Sequence, residues 1–84
     1  MKVKELKKLL EKVDDNRIVI LAKDGEGNDF SLLAELDDES NYEADSTWSG
    51  NVGIEKLTPE REKQGYTKED VNHGKPALVL WPVN

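Results

Sequence analysis

Apolar residues at helical spacing open the chain: Val3, Leu6, Leu10 and Val13. They predict an amphipathic helix over residues 2–13, because positions three and four apart share one face of a helix. Residues 17–23 and 76–82 are short and continuously apolar instead. That pattern predicts two strands buried on both faces, and therefore central in their sheet.

The middle of the chain is more polar and predicts shorter elements. Phe30–Leu36 is ambiguous between a helical turn and an irregular segment that covers the edge of the core. Residues 41–45 and 52–55 predict two strands, and the polar loop 46–51 between them suits a hairpin.

A helix start follows the predicted hairpin. Thr58 supplies a capping hydroxyl, Pro59 suits the first helical position, and Gly65 suits the end of the helix. Residues 58–75 contain few large apolar side chains. We therefore predict a peripheral helical excursion, serving as a lid, a flap or a mobile segment.

Together these elements predict one α+β domain over residues 1–84. An N-terminal helix would pack on a small, mainly antiparallel sheet of three to four strands, with the helical excursion before the last strand. One helix covers one face of such a sheet. Either Phe30–Leu36 or a second copy of the chain must cover the other face, and we favour a homo-oligomer. Exposure of either apolar strand at the sheet edge would contradict this argument.

Composition excludes several classes of protein. The 84 residues contain no cysteine, which removes disulfides and thiolate metal sites and fits a reducing cytoplasm. No stretch approaches the length of a membrane span, and the first residues lack the apolar core of a signal peptide. The net charge of −6 argues against direct binding of nucleic acid.

Three runs carry a resemblance to a known group of proteins: D-G-E-G-N-D-F from Asp24, Y-E-A-D-S-T-W-S-G from Tyr42, and A-L-V-L-W-P-V-N from Ala77. With the Met-Lys-Val-x-Glu-Leu start and the T-P-E-R-E run from Thr58, they resemble small uncharacterised proteins of tailed bacteriophages. The final run is the most specific part of the resemblance. It implies a phage product made in the host bacterial cytoplasm, and it brings no activity and no site residues.

Two candidate chemical sites are weak. Asp24, Glu26, Asn28 and Glu35 occupy positions 1, 3, 5 and 12 of a calcium-loop pattern. Position 6 is Asp29 rather than glycine, and a strand precedes the loop, so we expect an acidic turn and no metal. His73, the one histidine, has no neighbouring nucleophile motif, so we expect an exposed side chain and no catalytic residues.

The candidate binding residues surround Trp48. Six acids in eleven residues, with no Lys or Arg among them, form either a solvated edge or a recognition surface for a basic partner: Glu35, Asp37, Asp38, Glu39, Glu43 and Asp45. Trp48 in its polar loop is either a plug folded onto the core, which we favour, or an exposed anchor. Trp81, in the last apolar strand, is expected in the core. The predicted partner-binding residues are Tyr42, Glu43, Asp45, Thr47, Trp48 and Ser49.

Three functions follow as hypotheses. The first is a non-catalytic protein that binds and modulates a host protein, with anti-phage defence components as one candidate class. The second is an oligomeric sponge for a nucleotide signal, which would need basic groups to converge on phosphate: Arg17, Lys23, Lys56 and Lys75. The third is an accessory virion component. No cofactor is expected for any of them.

Overall fold

The computed structural model describes all of residues 1–84. Its elements are, in order, helix α1 (Val3–Leu10), strands β1 (Ile20–Ala22), β2 (Phe30–Ala44) and β3 (Gly50–Ile54), helix α2 (Pro59–Lys63), a 3₁₀ turn (Lys68–Asp70) and strand β4 (Lys75–Pro82). The predicted α+β class is confirmed: an N-terminal helix accompanies a mainly antiparallel, open four-stranded sheet, and a short helix precedes the last strand.

The fifteen-residue strand β2 organises the sheet, because each of the other three strands pairs with it. β1 pairs antiparallel with its start, where Ile20 lies opposite Leu32, and β3 pairs antiparallel with its end, where Ser40 lies opposite Ile54. β4 also pairs with β2. The N–H of Val83, just after β4, donates to the carbonyl of Leu32 near the start of β2 at 2.9 Å.

Two predictions about the sheet are wrong. Phe30–Leu36 is the beginning of β2, not a helical turn or an irregular cover for the core. β1 and β4 are not central strands, because each pairs with β2 alone. None of their residues is buried; Ile20 is 53% and Trp81 45% exposed, so Trp81 is not a core residue. The pattern of two central strands, from which the sequence predicted self-association, is therefore absent from the structure.

The chain divides into two compact units. The first, here the N-terminal unit, comprises Met1–Glu35 and Leu80–Asn84, and the second, the central unit, comprises Leu36–Val79. The N-terminal unit contains no buried residue. In the central unit the buried residues are Ser40, Asn41 and Ile54. No helix in the structure has the length and apolar character needed to cross a lipid bilayer.

Within the central unit, the C-terminal part of the helical excursion is bound to the end of β3. Ile54 at the end of β3 forms a parallel bridge with Val71, and its carbonyl accepts the N–H of Asn72 at 2.9 Å. The Asn72 side chain donates to the carbonyl of Asn51 at 3.1 Å. Residues 71 and 72 are therefore bound to β3 through main-chain and side-chain hydrogen bonds, which opposes the interpretation of residues 58–75 as a free flap.

The start of α2 is confirmed in detail. The Thr58 hydroxyl accepts the Arg61 N–H at 3.2 Å, and Pro59 occupies the first turn. Gly65 follows the helix with a φ of 98°, a left-handed conformation in which a side chain would be strained. These features depend on neighbours within a few residues, which explains why the sequence alone predicts them.

Candidate functional site

The β2–β3 hairpin presents the loop that contains Trp48. Ala44 pairs with Gly50, so the five residues 45–49 connect the two strands. Side chains alternate between the two faces of paired strands. Tyr42, directly opposite Val52, therefore projects from one face of the hairpin, while Glu43, opposite Asn51, projects from the other. The structure does not place Tyr42 and Glu43 on one surface.

Hydrogen bonds hold the loop in one conformation. The N–H groups of Asp45 and Ser46 both donate to the carbonyl of Ser49, at 3.1 and 3.2 Å. The Ser46 hydroxyl oxygen accepts the N–H groups of Trp48 at 3.2 Å and Ser49 at 3.0 Å. These two hydrogen bonds to the Ser46 hydroxyl fold the chain back on itself, as in other serine-stabilised turns.

The direction of the hydroxyl bonds in this loop follows from their partners. The Ser49 hydroxyl donates to Asp45 Oδ1 at 2.6 Å. Because its one proton is used there, the 2.8 Å contact between the hydroxyls of Ser46 and Ser49 has Ser46 as donor. The result is a chain of donors from Ser46 through Ser49 to the Asp45 carboxylate. Ser46 was not among the predicted site residues, although a Ser-x-x-Ser spacing in a hairpin loop indicates this type of turn.

Trp48 is 86% exposed at the tip of this loop. The prediction that it folds onto the core as a plug is therefore wrong, and the exposed-anchor alternative describes its position. Its main chain is fixed by the bond to Ser46, which keeps residue 48 beyond the last paired residues of the hairpin. Thr47 beside it is exposed as well.

Tyr42 lies against the main chain of Gly50. A Cβ on Gly50 would be 2.6 Å from both Cζ and Oη of the Tyr42 ring and 2.5 Å from the carbonyl oxygen of Glu43. Only glycine allows this approach. Tyr42 remains 37% exposed and Val52 47% exposed, so the face that they share presents partly accessible apolar surface next to the loop.

The acidic segment is not a uniform row of free carboxylates. Glu39 forms an ion pair with Arg61 at 2.8 Å, and Arg61 also lies over the Tyr66 ring, 5.5 Å from its centroid. The Asp37 carboxylate accepts the Glu39 N–H at 2.9 Å and the Ser40 hydroxyl at 2.6 Å. With Asp45 bound by Ser49, three of the six acids thus receive hydrogen bonds from their own chain.

A cleft of about 270 Å³ lies in the central unit. Its lining combines three acids, two bases and a threonine: Glu39, Glu55, Lys56, Thr58, Glu60 and Arg61. Arg61 is already paired with Glu39, so Lys56 faces several carboxylates in a site that would repel phosphate. Of the four basic residues that the nucleotide-sponge hypothesis needs, Lys56 lines this acidic cleft, and Lys23, in the N-terminal unit, pairs with Asp29 at 3.4 Å.

The Asp24 turn uses its own oxygens internally. Asp24 Oδ1 accepts the N–H groups of Glu26 at 2.8 Å and Asn28 at 3.2 Å, while Oδ2 accepts the Asn28 side-chain amide at 3.1 Å. The bond from the Asn28 N–H is the largest of the causes that lower the pKa of Asp24. Glu35 lies in β2, and no three acidic or histidine side chains form a group suited to a metal ion.

His73 is exposed between the 3₁₀ turn and β4.

No family model, curated protein or solved structure matches this chain, so the case for its function rests on its own residues.

Proposed function

We propose that this chain is a non-catalytic, phage-encoded protein that binds and modulates a host protein in the bacterial cytoplasm, with Trp48 as its anchor. The observation that carries the proposal is the 86% exposure of Trp48 on a loop whose conformation is fixed by hydrogen bonds. The phage origin and the cellular location rest on the sequence resemblance. Anti-phage defence proteins are one class of candidate partner.

The energetics favour this residue as a binding anchor. Burial of a tryptophan removes about 150–250 Å² from water, the largest contribution that a single side chain can make to an interface. Tryptophan is also among the residue types most enriched at interface hot spots. Trp48 contributes little of its surface to the fold of its own chain, so nearly all of that area is available to a partner.

The loop lowers the cost of binding. Ser46 and Ser49 already order the main chain around Trp48, so a partner need not order it on binding. Preorganisation of this kind raises affinity because less conformational entropy is lost. The partner best suited to this tip has an apolar pocket for the indole.

The acidic charge around Trp48 favours a partner whose pocket has a basic rim. Glu43 and Asp45 flank the loop, and the whole chain carries a net charge of −6. A basic rim on the partner would therefore be attracted over several ångströms, and its association rate would fall as salt is added. Tyr42 and Val52 extend the apolar contact on one face of the hairpin.

The experiment is an affinity capture from host lysate with three forms of the immobilised protein. We expect the wild type and Tyr66→Ala to retain the same host protein and Trp48→Ala to lose it. Tyr66→Ala is the matched control, because it removes another partly exposed aromatic ring from the central unit but leaves the loop unchanged.

A second step makes the result quantitative. The captured protein is purified and titrated calorimetrically against the same three forms, where Trp48→Ala should weaken binding at least about thirtyfold, the effect of a hot-spot residue of about 2 kcal/mol. A partner set that is unchanged by Trp48→Ala would remove the anchor from the proposal. Tight, specific binding of a nucleotide instead would favour the sponge hypothesis.

A further inference from the structure

The N-terminal unit exposes far more apolar surface than a stable monomeric domain. None of its residues is buried. Ile18 and Ile20 are 78% and 53% exposed. Phe30 and Leu32 lie opposite Ala22 and Ile20, and therefore on the same face, and are 55% and 54% exposed. Monomeric soluble proteins rarely leave a contiguous group of this kind in water.

One edge of β1 has no strand partner. Val19 accepts the N–H of Leu33 at 3.3 Å, and Lys23 donates to the carbonyl of Asp29 at 2.9 Å, so the odd-numbered residues of this segment face β2. Main-chain groups alternate in an antiparallel pair. The N–H and C=O groups of Ile20 and Ala22 therefore point away from β2.

This edge is short, because β1 has three residues, but it lacks the other features that normally prevent strand pairing. Natural edge strands carry charges, prolines or bulges, or are covered by another element. Between Arg17 and Lys23 the segment is Ile-Val-Ile-Leu-Ala, without a charge or a proline. An unprotected apolar edge is a template for another strand.

We propose that the protein forms a homodimer in which β1 of one copy pairs antiparallel with β1 of a second copy. An antiparallel pair of identical strands satisfies two-fold symmetry, so each copy offers the surface that the other requires. The apolar residues of the two N-terminal units would then cover each other. This proposal rests on the observed exposure and on the edge position of β1, not on the burial on both faces that the sequence pattern predicted, and it is independent of the function proposed for Trp48.

Charge distribution also favours a second copy as the occupant. Residues 1–13 carry five lysines and two glutamates, or +3, and the remainder of the chain carries −9, which together give the net −6. Two copies can therefore place basic segments near acidic ones despite equal net charge. A wholly acidic chain would lack this possibility.

The first test is the mass in solution, measured by light scattering coupled to size-exclusion chromatography. We expect twice the chain mass of 9.5 kDa for the wild type. Ile20→Lys and Ile20→Glu should each give the mass of one chain, because like charges would face each other across the paired strands. Val52→Lys is the matched control, since Val52 is an aliphatic strand residue of similar exposure in β3, and this variant should remain a dimer.

Mixing separates dissociation from misfolding. An equimolar mixture of Ile20→Lys and Ile20→Glu should regain the dimer mass, because the introduced charges are then opposite, whereas two misfolded variants would not recover. A wild-type mass of one chain, or a mass that keeps rising beyond two chains with concentration, would overturn the proposal.

Amide hydrogen exchange tests the paired edge itself. In a monomer the N–H groups of Ile20 and Ala22 face solvent and exchange rapidly. In the proposed dimer both N–H groups donate to the second copy, so their exchange is slowed. The exchange rate of the Ala22 amide should be at least tenfold lower in the wild type than in Ile20→Lys. A dimer mass with rapid exchange at both positions would refute pairing through β1.

Discussion

The side-chain amide of Asn41 donates a hydrogen bond to the carbonyl of Asn72 at 2.7 Å and thereby joins β2 to the chain leaving the helical excursion, 31 residues later. Asn41 is only 9% exposed. Asn72 in turn contacts Asn51 through its own side chain and accepts the Gly74 N–H at Oδ1 at 2.7 Å. Asn72 thus forms hydrogen bonds with two other segments of the central unit, β2 through Asn41 and β3 through Asn51.

Loss of this amide should destabilise the protein. We expect Asn41→Ala to lower the free energy of unfolding by about 1–3 kcal/mol, because the carbonyl of Asn72 would be left without its partner. Urea denaturation followed by circular dichroism measures the change. Asn51→Ala is the control: the Asn51 side chain is exposed and its carbonyl, which binds Asn72, is retained, so a loss as large as that of Asn41→Ala would contradict this explanation.

Gly50 should not tolerate a side chain. We expect Gly50→Ala to lower the free energy of unfolding by about 1–3 kcal/mol, because the new Cβ must displace the Tyr42 ring and the Glu43 carbonyl. Gly25→Ala is the matched control, since a Cβ there meets nothing within 4 Å. That substitution should leave stability unchanged or raise it by up to about 1 kcal/mol. Equal losses for the two variants would contradict the packing of Tyr42 on Gly50.

The Asp24 turn should lose order in acid. The pKa of Asp24 is lowered mainly by the N–H of Asn28, and the pKa of Asp29 mainly by the N–H of Phe30 with a contribution from Lys23. A carboxyl group with a lowered folded-state pKa stabilises the fold above its unfolded value, about 3.9, and loses that contribution as the pH falls through the folded value. The turn should therefore be intact at neutral pH.

Nuclear magnetic resonance measures this directly. The side-chain carboxyl carbons of Asp24 and Asp29 should titrate below the ordinary range for aspartate, and the Asn28 amide shift should follow Asp24. In Asp24→Asn the shift of the Asn28 amide should no longer change over that acid range. An Asp24 midpoint at or above the ordinary value would contradict the hydrogen bonds described for this turn.

Trp48 should matter for binding and not for folding. We expect Trp48→Ala to change the free energy of unfolding by less than about 0.5 kcal/mol, because the side chain is 86% exposed. Ser46→Ala should instead loosen the loop, since Ser46 accepts two of its N–H groups. Thermal unfolding of both variants, with hydrogen exchange at residues 48 and 49, distinguishes them. A marked destabilisation by Trp48→Ala would restore the interpretation of Trp48 as a structural plug.

The sequence by itself determined the local features of this protein. The Thr58 cap, the proline that opens α2 and the glycine beyond its end are set by contacts within seven residues or fewer, so the residue types alone predict them. The polar composition of residues 46–51 likewise predicts a loop, which in the structure covers residues 45–49. The amphipathic pattern placed a helix at the N-terminus, although α1 is shorter than the predicted 2–13.

Only the tertiary structure decided which strand is central and which tryptophans are exposed. Phe30–Leu36 became part of the longest strand because β1 and, from the other end of the chain, β4 supply hydrogen-bond partners for β2. An apolar run such as residues 17–23 fits either a buried central strand or an edge that another chain covers, and hydrophobicity does not distinguish them. Exposure of Trp48 depends on hydroxyl bonds at 2.6–3.2 Å in the folded loop. The Ser-x-x-Ser spacing indicates the turn, but it does not determine whether the indole packs on the core or lies in solvent.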